Sequence, residues 1–132
     1  MILADSSFWI ALRDRRDTHH ERASALIREI LAKRWPITIT DHIFAETHAY
    51  FVRSVVLRKT IIRDLLENPV VRLETIEAAD RNRALKYLRE FDDKHWSYCD
   101  ALSFAVIERL KLPFAASFDH HFGQPGSFEL IR

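Results

Sequence analysis

Glycine is nearly missing from this chain: Gly123 and Gly126 are the only two in 132 residues. Neither the dinucleotide-binding G-x-G-x-x-G pattern nor a Walker P-loop can be written with them. Both motifs need glycines where backbone amides approach phosphate, so nucleotide binding of either kind is excluded. Cysteine is rarer still, with Cys99 alone, which rules out a disulfide framework and a cysteine-rich zinc site. Beside Asp100 in an apolar helix start, Cys99 reads as a small packing residue. No apolar run approaches the roughly 20 residues of a membrane span, and Met1-Ile2-Leu3-Ala4-Asp5 carries no basic leader, so a cytoplasmic protein with no membrane contact is expected. Net charge is only +1, although Arg13, Arg15 and Arg16 form one basic group and Arg53, Arg58, Lys59 and Arg63 another.

What remains is 48% hydrophobic and 30% charged, the balance of one globular domain spanning 1–132. Ile2 to Ala4 reads as a short buried strand, followed by a helix over Phe8 to Leu12 that Ser6 or Ser7 can cap. Thr18-x-x-Glu21 has the form of a capping box for a second helix, which presents Ala23, Leu26, Ile27, Ile30 and Leu31 on one face and ends at Pro36. Ile37 to Thr40 is β-branched throughout and predicts a strand. Asp41 is expected to cap the next helix, with Ile43, Phe44, Thr47, Phe51 and Val55 inward; a further helix over Leu57 to Glu67 stops at Asn68-Pro69. A strand at Val70 to Ile76 precedes a helix at Ala79 to Phe91 with Ala84, Leu85, Leu88 and Phe91 inward. Ser97 then opens an apolar helix that Pro113 breaks, and short strands follow at Phe114 to Ser117 and Phe128 to Ile131. Strands alternating with helices predict an α/β three-layer sandwich, a mostly parallel central sheet with helices on both faces.

Parallel sheets gather functional side chains at the carboxyl ends of their strands. Four acids fall at such positions: Asp5, Glu46, Asp100 and Asp119. Each has a local explanation when taken singly: Asp5 precedes a helix, Glu46 can pair with a base, Ser97-x-x-Asp100 is a capping box and Asp119 can cap a turn. Taken together they call for a cation, because carboxylates within a few ångströms resist joint ionisation. Oxygen ligands suit Mg²⁺, which can orient water and stabilise a phosphodiester transition state. A zinc hydrolase is disfavoured. His42 and Glu46 share a helix face without a third ligand at a telling spacing, and the adjacent pairs His19-His20 and His120-His121 cannot both point to one site from a helix.

At these residues the chain resembles the PIN-domain family, and within it the VapC-type toxin ribonucleases. The matching pieces are Asp5-Ser6-Ser7 with Ala11, Asp17-x-His19-x-x-Ala23, Glu46, the run Asp93-x-x-Trp96-Ser97-x-x-Asp100-x-x-Ser103-Phe104, and Phe118-Asp119-x-His121-Phe122. The resemblance implies a PIN-like fold and an endoribonuclease dependent on Mg²⁺ or Mn²⁺, acting on RNA as the toxin of a type II toxin–antitoxin pair. Asp5, Glu46, Asp100 and Asp119 would be the catalytic, metal-holding acids, with Ser6 or Ser7 in support. It further implies a cognate antitoxin and a homodimer, for which Phe51, Val52, Val55 and Val56 supply surplus apolar surface. Two alternatives stay open: an RNA-processing nuclease without an antitoxin, and a catalytically silent binding module. Asp93 is an extra acid, read here as a cap for the turn at Trp96.

Overall fold

The computed structural model describes residues 1–132. In chain order it contains β1 (Ile2–Ala4), α1 (Ser6–Arg13), α2 (His20–Ala32), β2 (Ile37–Thr40), α3 (Asp41–Tyr50), α4 (Val55–Leu66), β3 (Val71–Glu74), α5 (Ala78–Glu90), α6 (Tyr98–Leu110), β4 (Phe114–Ala116) and β5 (Glu129–Ile131). A short 3-10 helix, His120–Gly123, lies between the last two strands. The strands form one sheet in the order β3-β2-β1-β4-β5, and every pairing in it is parallel.

Side chains alternate between the two faces of a strand, so consecutive buried residues mean that both faces are covered. Ile2, Leu3 and Ala4 of β1 are all fully buried, and all four residues of β2 are buried, including Thr38 and Thr40. The sheet is therefore the middle layer of three, as expected from the alternating pattern. Most of α6 joins the same core, with Ala101 to Ile107 buried in succession. Trp96, Tyr87, Phe104 and Phe122 pack edge to face around it. Trp9 and Trp96 are core residues, and Trp35 stacks on Phe114 at 4.7 Å. No helix is long and apolar enough to cross a membrane.

Local expectations differ from the structure where a nearer or stronger partner intervenes. The capping box at Thr18 does not form: α2 starts at His20, His19 stands at its N-cap, and Asp17 Oδ1 takes the His19 amide at 2.8 Å. Thr40, one residue before Asp41, caps α3 by accepting from the Ile43 amide. α3 ends at Tyr50 and Ser54 caps α4, so Val55 opens a new helix and is exposed instead of continuing the inward face. In α5 the buried residues are Asp80, Ala84 and Tyr87, while Leu85 and Phe91 are exposed. Arg109 of α6 turns that face inward: its guanidinium binds Asp80 at 3.0 Å and Glu74 of β3 at 3.0 Å. Asp93 makes no cap; it lies exposed, 3.4 Å from the Lys94 ammonium.

Candidate active site

The chain leaves β1 for β2 and β3 on one side, then crosses to β4 and β5 on the other. The carboxyl ends of β1 and β4 thus flank the point where the winding reverses, where open α/β sheets hold their ligands. Asp5 follows β1 directly, and Ser117 follows β4. Asp5 is the N-cap of α1, and its Oδ2 accepts from the Ser7 amide (3.4 Å), the Ser7 hydroxyl (2.9 Å) and the Ser117 hydroxyl (3.0 Å). Each hydroxyl also accepts an amide, Ser7 Oγ from Phe118 and Ser117 Oγ from Asp119, and the two hydroxyls lie 3.0 Å apart. Asp5 Oδ1 has no protein partner and keeps solvent contact.

Glu46, on α3 one turn before its end, is held from two sides. Ser6 Oγ donates to Glu46 Oε1 at 3.0 Å, and the Cys99 thiol donates to the same oxygen at 3.1 Å. Burial and the neighbouring carboxylates push the Cys99 thiol far up, so it stays protonated as a donor and is no nucleophile. Asp100 lies in the first turn of α6, where Asp100 and Ser97 form a reciprocal capping box: the Ser97 amide donates to Asp100 Oδ2 (2.9 Å) and the Asp100 amide to Ser97 Oγ (3.1 Å). Asp119 caps the 3-10 helix by accepting from the His121 amide at 3.0 Å. The local roles read for Asp5, Asp100 and Asp119 are therefore real, and they coexist with a shared location.

Electrostatics ties the four together. Burial pushes the Asp5 carboxyl up to about 6, with the charge of Asp100 adding to it and the serine hydrogen bonds opposing. Burial also raises Asp100, with the charges of Asp119 and Glu46 adding and its bonds to Ser97 opposing. Asp5, Glu46 and Asp119 thus all act within the field of Asp100. No three of the four acids bring ligand oxygens within 4.8 Å of one another. The trio of potential ligand atoms lying within 4.8 Å of one another is Asp119, His120 and His121. That trio departs from the expectation that adjacent histidines cannot share a site. The two rings lie 4.0 Å apart in the 3-10 helix His120–Gly123. His42, in contrast, packs against Tyr98. Asp5, Glu46 and Asp100 offer oxygen only, the donor chemistry of a hard cation such as Mg²⁺ or Mn²⁺.

Three parts of this site escape a reading of the sequence alone. Ser117 is a buried polar residue closing the apolar β4 run, and that position was its only signal. The grip of Cys99 on Glu46 and the stacking of His19 on Phe118 (4.6 Å) join residues far apart in the chain and leave no local mark.

Comparison with known proteins bears on the fold and the family. The model of the PIN domain family matches residues 2–126. A 23S rRNA-specific endonuclease, VapC20 of Mycobacterium tuberculosis, is 30% identical over 132 residues, covering 98% of both chains. A VapC ribonuclease of Archaeoglobus fulgidus is 25% identical over 125 residues, covering 93% of this chain and 80% of its own. Among solved structures, the crystal structure of VapC20, a sarcin–ricin loop cleaving toxin, superposes with a TM-score of 0.86 at 28% identity, covering 100% of this chain and 99% of that one. FitAcB from Neisseria gonorrhoeae shares the fold, with a TM-score of 0.73 at 16% identity over 100% of this chain and 97% of that one.

Proposed function

The chain belongs to the PIN-domain family, and from that premise we propose that it is a metal-dependent endoribonuclease acting as the toxin of a type II toxin–antitoxin pair. One observation carries the reading: Ser6 and Cys99, the chain neighbours of Asp5 and Asp100, both hold Glu46, and Ser117 links Asp5 to the Asp119 amide, so acids from four separate segments are drawn to the reversal point of the sheet. Scattered helix caps would not be joined to one another by shared hydrogen bonds.

Asp5, Glu46, Asp100 and Asp119 would hold the cation. When bound, Mg²⁺ or Mn²⁺ supplies charge neutralisation for the carboxylates and stabilises the negative charge that grows on the phosphodiester. The protein's own part is positioning. Ser7 and Ser117 pin one oxygen of Asp5 and leave the other open. Ser6 and Cys99 hold Glu46 against α1 and α6. The N-terminal turn of α6 favours the negative charge of Asp100.

A basic path for the RNA backbone leads away from these acids. α1 runs roughly 12 Å, at about 1.5 Å per residue, from Ser6 to Arg13. There Arg13, Arg15, Arg16 and Arg53 line a cleft of about 630 Å³. Guanidinium groups in such a cleft hold phosphates without reading sequence. Its arginines make a small acidic antitoxin segment a suitable competitor, and the exposed Val52, Val55 and Val56 supply an apolar face for a second copy of the chain.

The test is cleavage of a 23S rRNA fragment carrying the loop that VapC20 cuts, with Mg²⁺, with Mn²⁺ and with EDTA, followed by mapping of the ends. Cutting at a discrete site only with metal, leaving a 5′-phosphate and a 3′-hydroxyl, is the expected result. Cutting that survives EDTA, or no cutting of this or bulk cellular RNA with either metal, would overturn the nuclease reading. A small heterologous chain copurifying from the native source would mark the toxin; its absence would favour an RNA-processing nuclease.

A further inference from the structure

A second pocket, about 310 Å³, opens beside the acids and is lined by Ser7, Ile10, Asp17, His19, Phe118 and Asp119. Ser7 and Asp119 belong to both places. The His19 imidazole lies flat on the Phe118 ring, with centroids 4.6 Å apart and planes 13° from parallel. Phe118 in turn stacks over the fully buried Phe8 at 6.4 Å. His19 is anchored at its backbone, where its amide donates to Asp17 Oδ1, and its Nδ1 lies 3.3 Å from Thr18 Oγ1. Its side chain is still 51% exposed. An aromatic ring fixed on a core-supported stack, with surface left open, is the platform on which unpaired nucleobases settle.

The charge of the pocket narrows the occupant. Two carboxylates and no arginine or lysine line it, so a phosphate is repelled. The volume lies at the small end of ligand pockets, sized for one planar group and not for a larger ligand. Asp17 Oδ2 makes no hydrogen bond within the protein and can accept from a base amino group, as carboxylates do from cytosine N4. We propose that this pocket seats the nucleobase of one nucleotide flanking the scissile phosphodiester, stacked on His19 and offering an amino group to Asp17. The proposal rests on the ribonuclease reading above and assigns to it a base-selecting subsite that the acids alone do not provide.

The test uses single-stranded RNAs spanning the cleavage site, with an abasic site placed in turn at each of the two nucleotides on either side. One abasic position should lower wild-type kcat/KM on the order of tenfold or more, the scale of one stacked base. His19→Ala should lose the same factor on intact RNA and lose nothing further on that abasic RNA, whereas His19→Phe, which keeps the stack, should regain most of it. A purely structural role for His19 would depress intact and abasic substrates alike, and that outcome overturns the proposal, as does equal cleavage of every abasic RNA by the wild type. If no RNA is cut, the ribonuclease reading fails separately. The pocket is then read from quenching of 2-aminopurine placed along an oligonucleotide: quenching that His19→Ala abolishes upholds it, and unquenched fluorescence at every position overturns it.

Discussion

Asp5 Oδ2 and Ser117 Oγ are 3.0 Å apart although 112 residues separate them in the chain. They meet because β1 and β4 run parallel and in register, Ile2 with Phe114 through Ala4 with Ala116, so the residues that follow each strand leave the sheet side by side. Ser117 thereby holds one oxygen of a buried carboxylate. The response of the site to mutation, pH and metal depends on that arrangement.

Asp100→Asn should abolish RNA cleavage, by on the order of a hundredfold or more, the cost of losing one charge-stabilising group in an active site. The fold should survive, because asparagine can still accept from the Ser97 amide and complete the capping box. Cleavage assays beside circular dichroism check both halves. Full activity in a folded variant would remove Asp100 from the site.

Stability without metal should fall as pH rises from about 4 to about 6. Folded Asp5 keeps its proton up to about 6, against 3.8 for the ordinary carboxyl, so over that window the folded state binds more protons than the unfolded chain. A tenfold change in proton affinity is worth about 1.4 kcal/mol, so the loss should be on the order of 2–3 kcal/mol. Asp100, raised for the same reason, adds to it in the same direction. Asp5→Asn should flatten this slope and leave the metal-free protein more stable at pH 7. Urea denaturation in EDTA across pH 4 to 7.5 measures it, and a variant that is less stable at pH 7 would contradict the account.

Millimolar Mg²⁺ should raise the melting temperature of the wild type by mass action, and that of Asp5→Asn or Asp100→Asn much less. Paired thermal melts with EDTA and with Mg²⁺ provide the comparison. Equal shifts in all three proteins would mean that these carboxylates do not share a cation.

Arg109→Met should destabilise the fold by about 3–5 kcal/mol, the usual cost of stranding one partner of a buried ion pair. Asp80 is 2% exposed. Burial alone would raise its carboxyl, and the Arg109 guanidinium overrides that and holds it below the ordinary value. The stabilisation is therefore present at neutral pH and lost as pH falls through the carboxylate range, so the deficit of the variant should shrink in acid. Chemical denaturation at pH 7 and pH 3.5 tests both statements.

Val56, 74% exposed on α4, is the probe for self-association. Val56→Glu should leave the melting temperature nearly unchanged and shift a dimer to monomer in sedimentation at micromolar concentration. A wild type that sediments only as a monomer would dispose of the dimer.

The elements of this fold were legible locally because their signals are local. Ser97 and Asp100 form the capping box that their spacing implies, Asn68-Pro69 ends α4, and the short apolar runs at 2–4, 37–40 and 114–116 are strands. Asp5, Asp100 and Asp119 could be placed at strand ends and a helix start for the same reason, while Glu46 lies within α3, and the spacing of all four carried the family resemblance. The two misplaced caps failed within one turn of a competing acceptor, Asp17 displacing Thr18 and Thr40 displacing Asp41. Only the tertiary structure decided which strand lies beside β1, and hence that Ser117 would hold Asp5, that Cys99 would reach Glu46, and that Arg109 would draw Asp80 inside. Hydrophobic period and capping preference act over three or four residues and say nothing of pairing between distant ones. The geometry of the site comes from strand order and register, which the burial of the whole sheet selects and no single segment encodes.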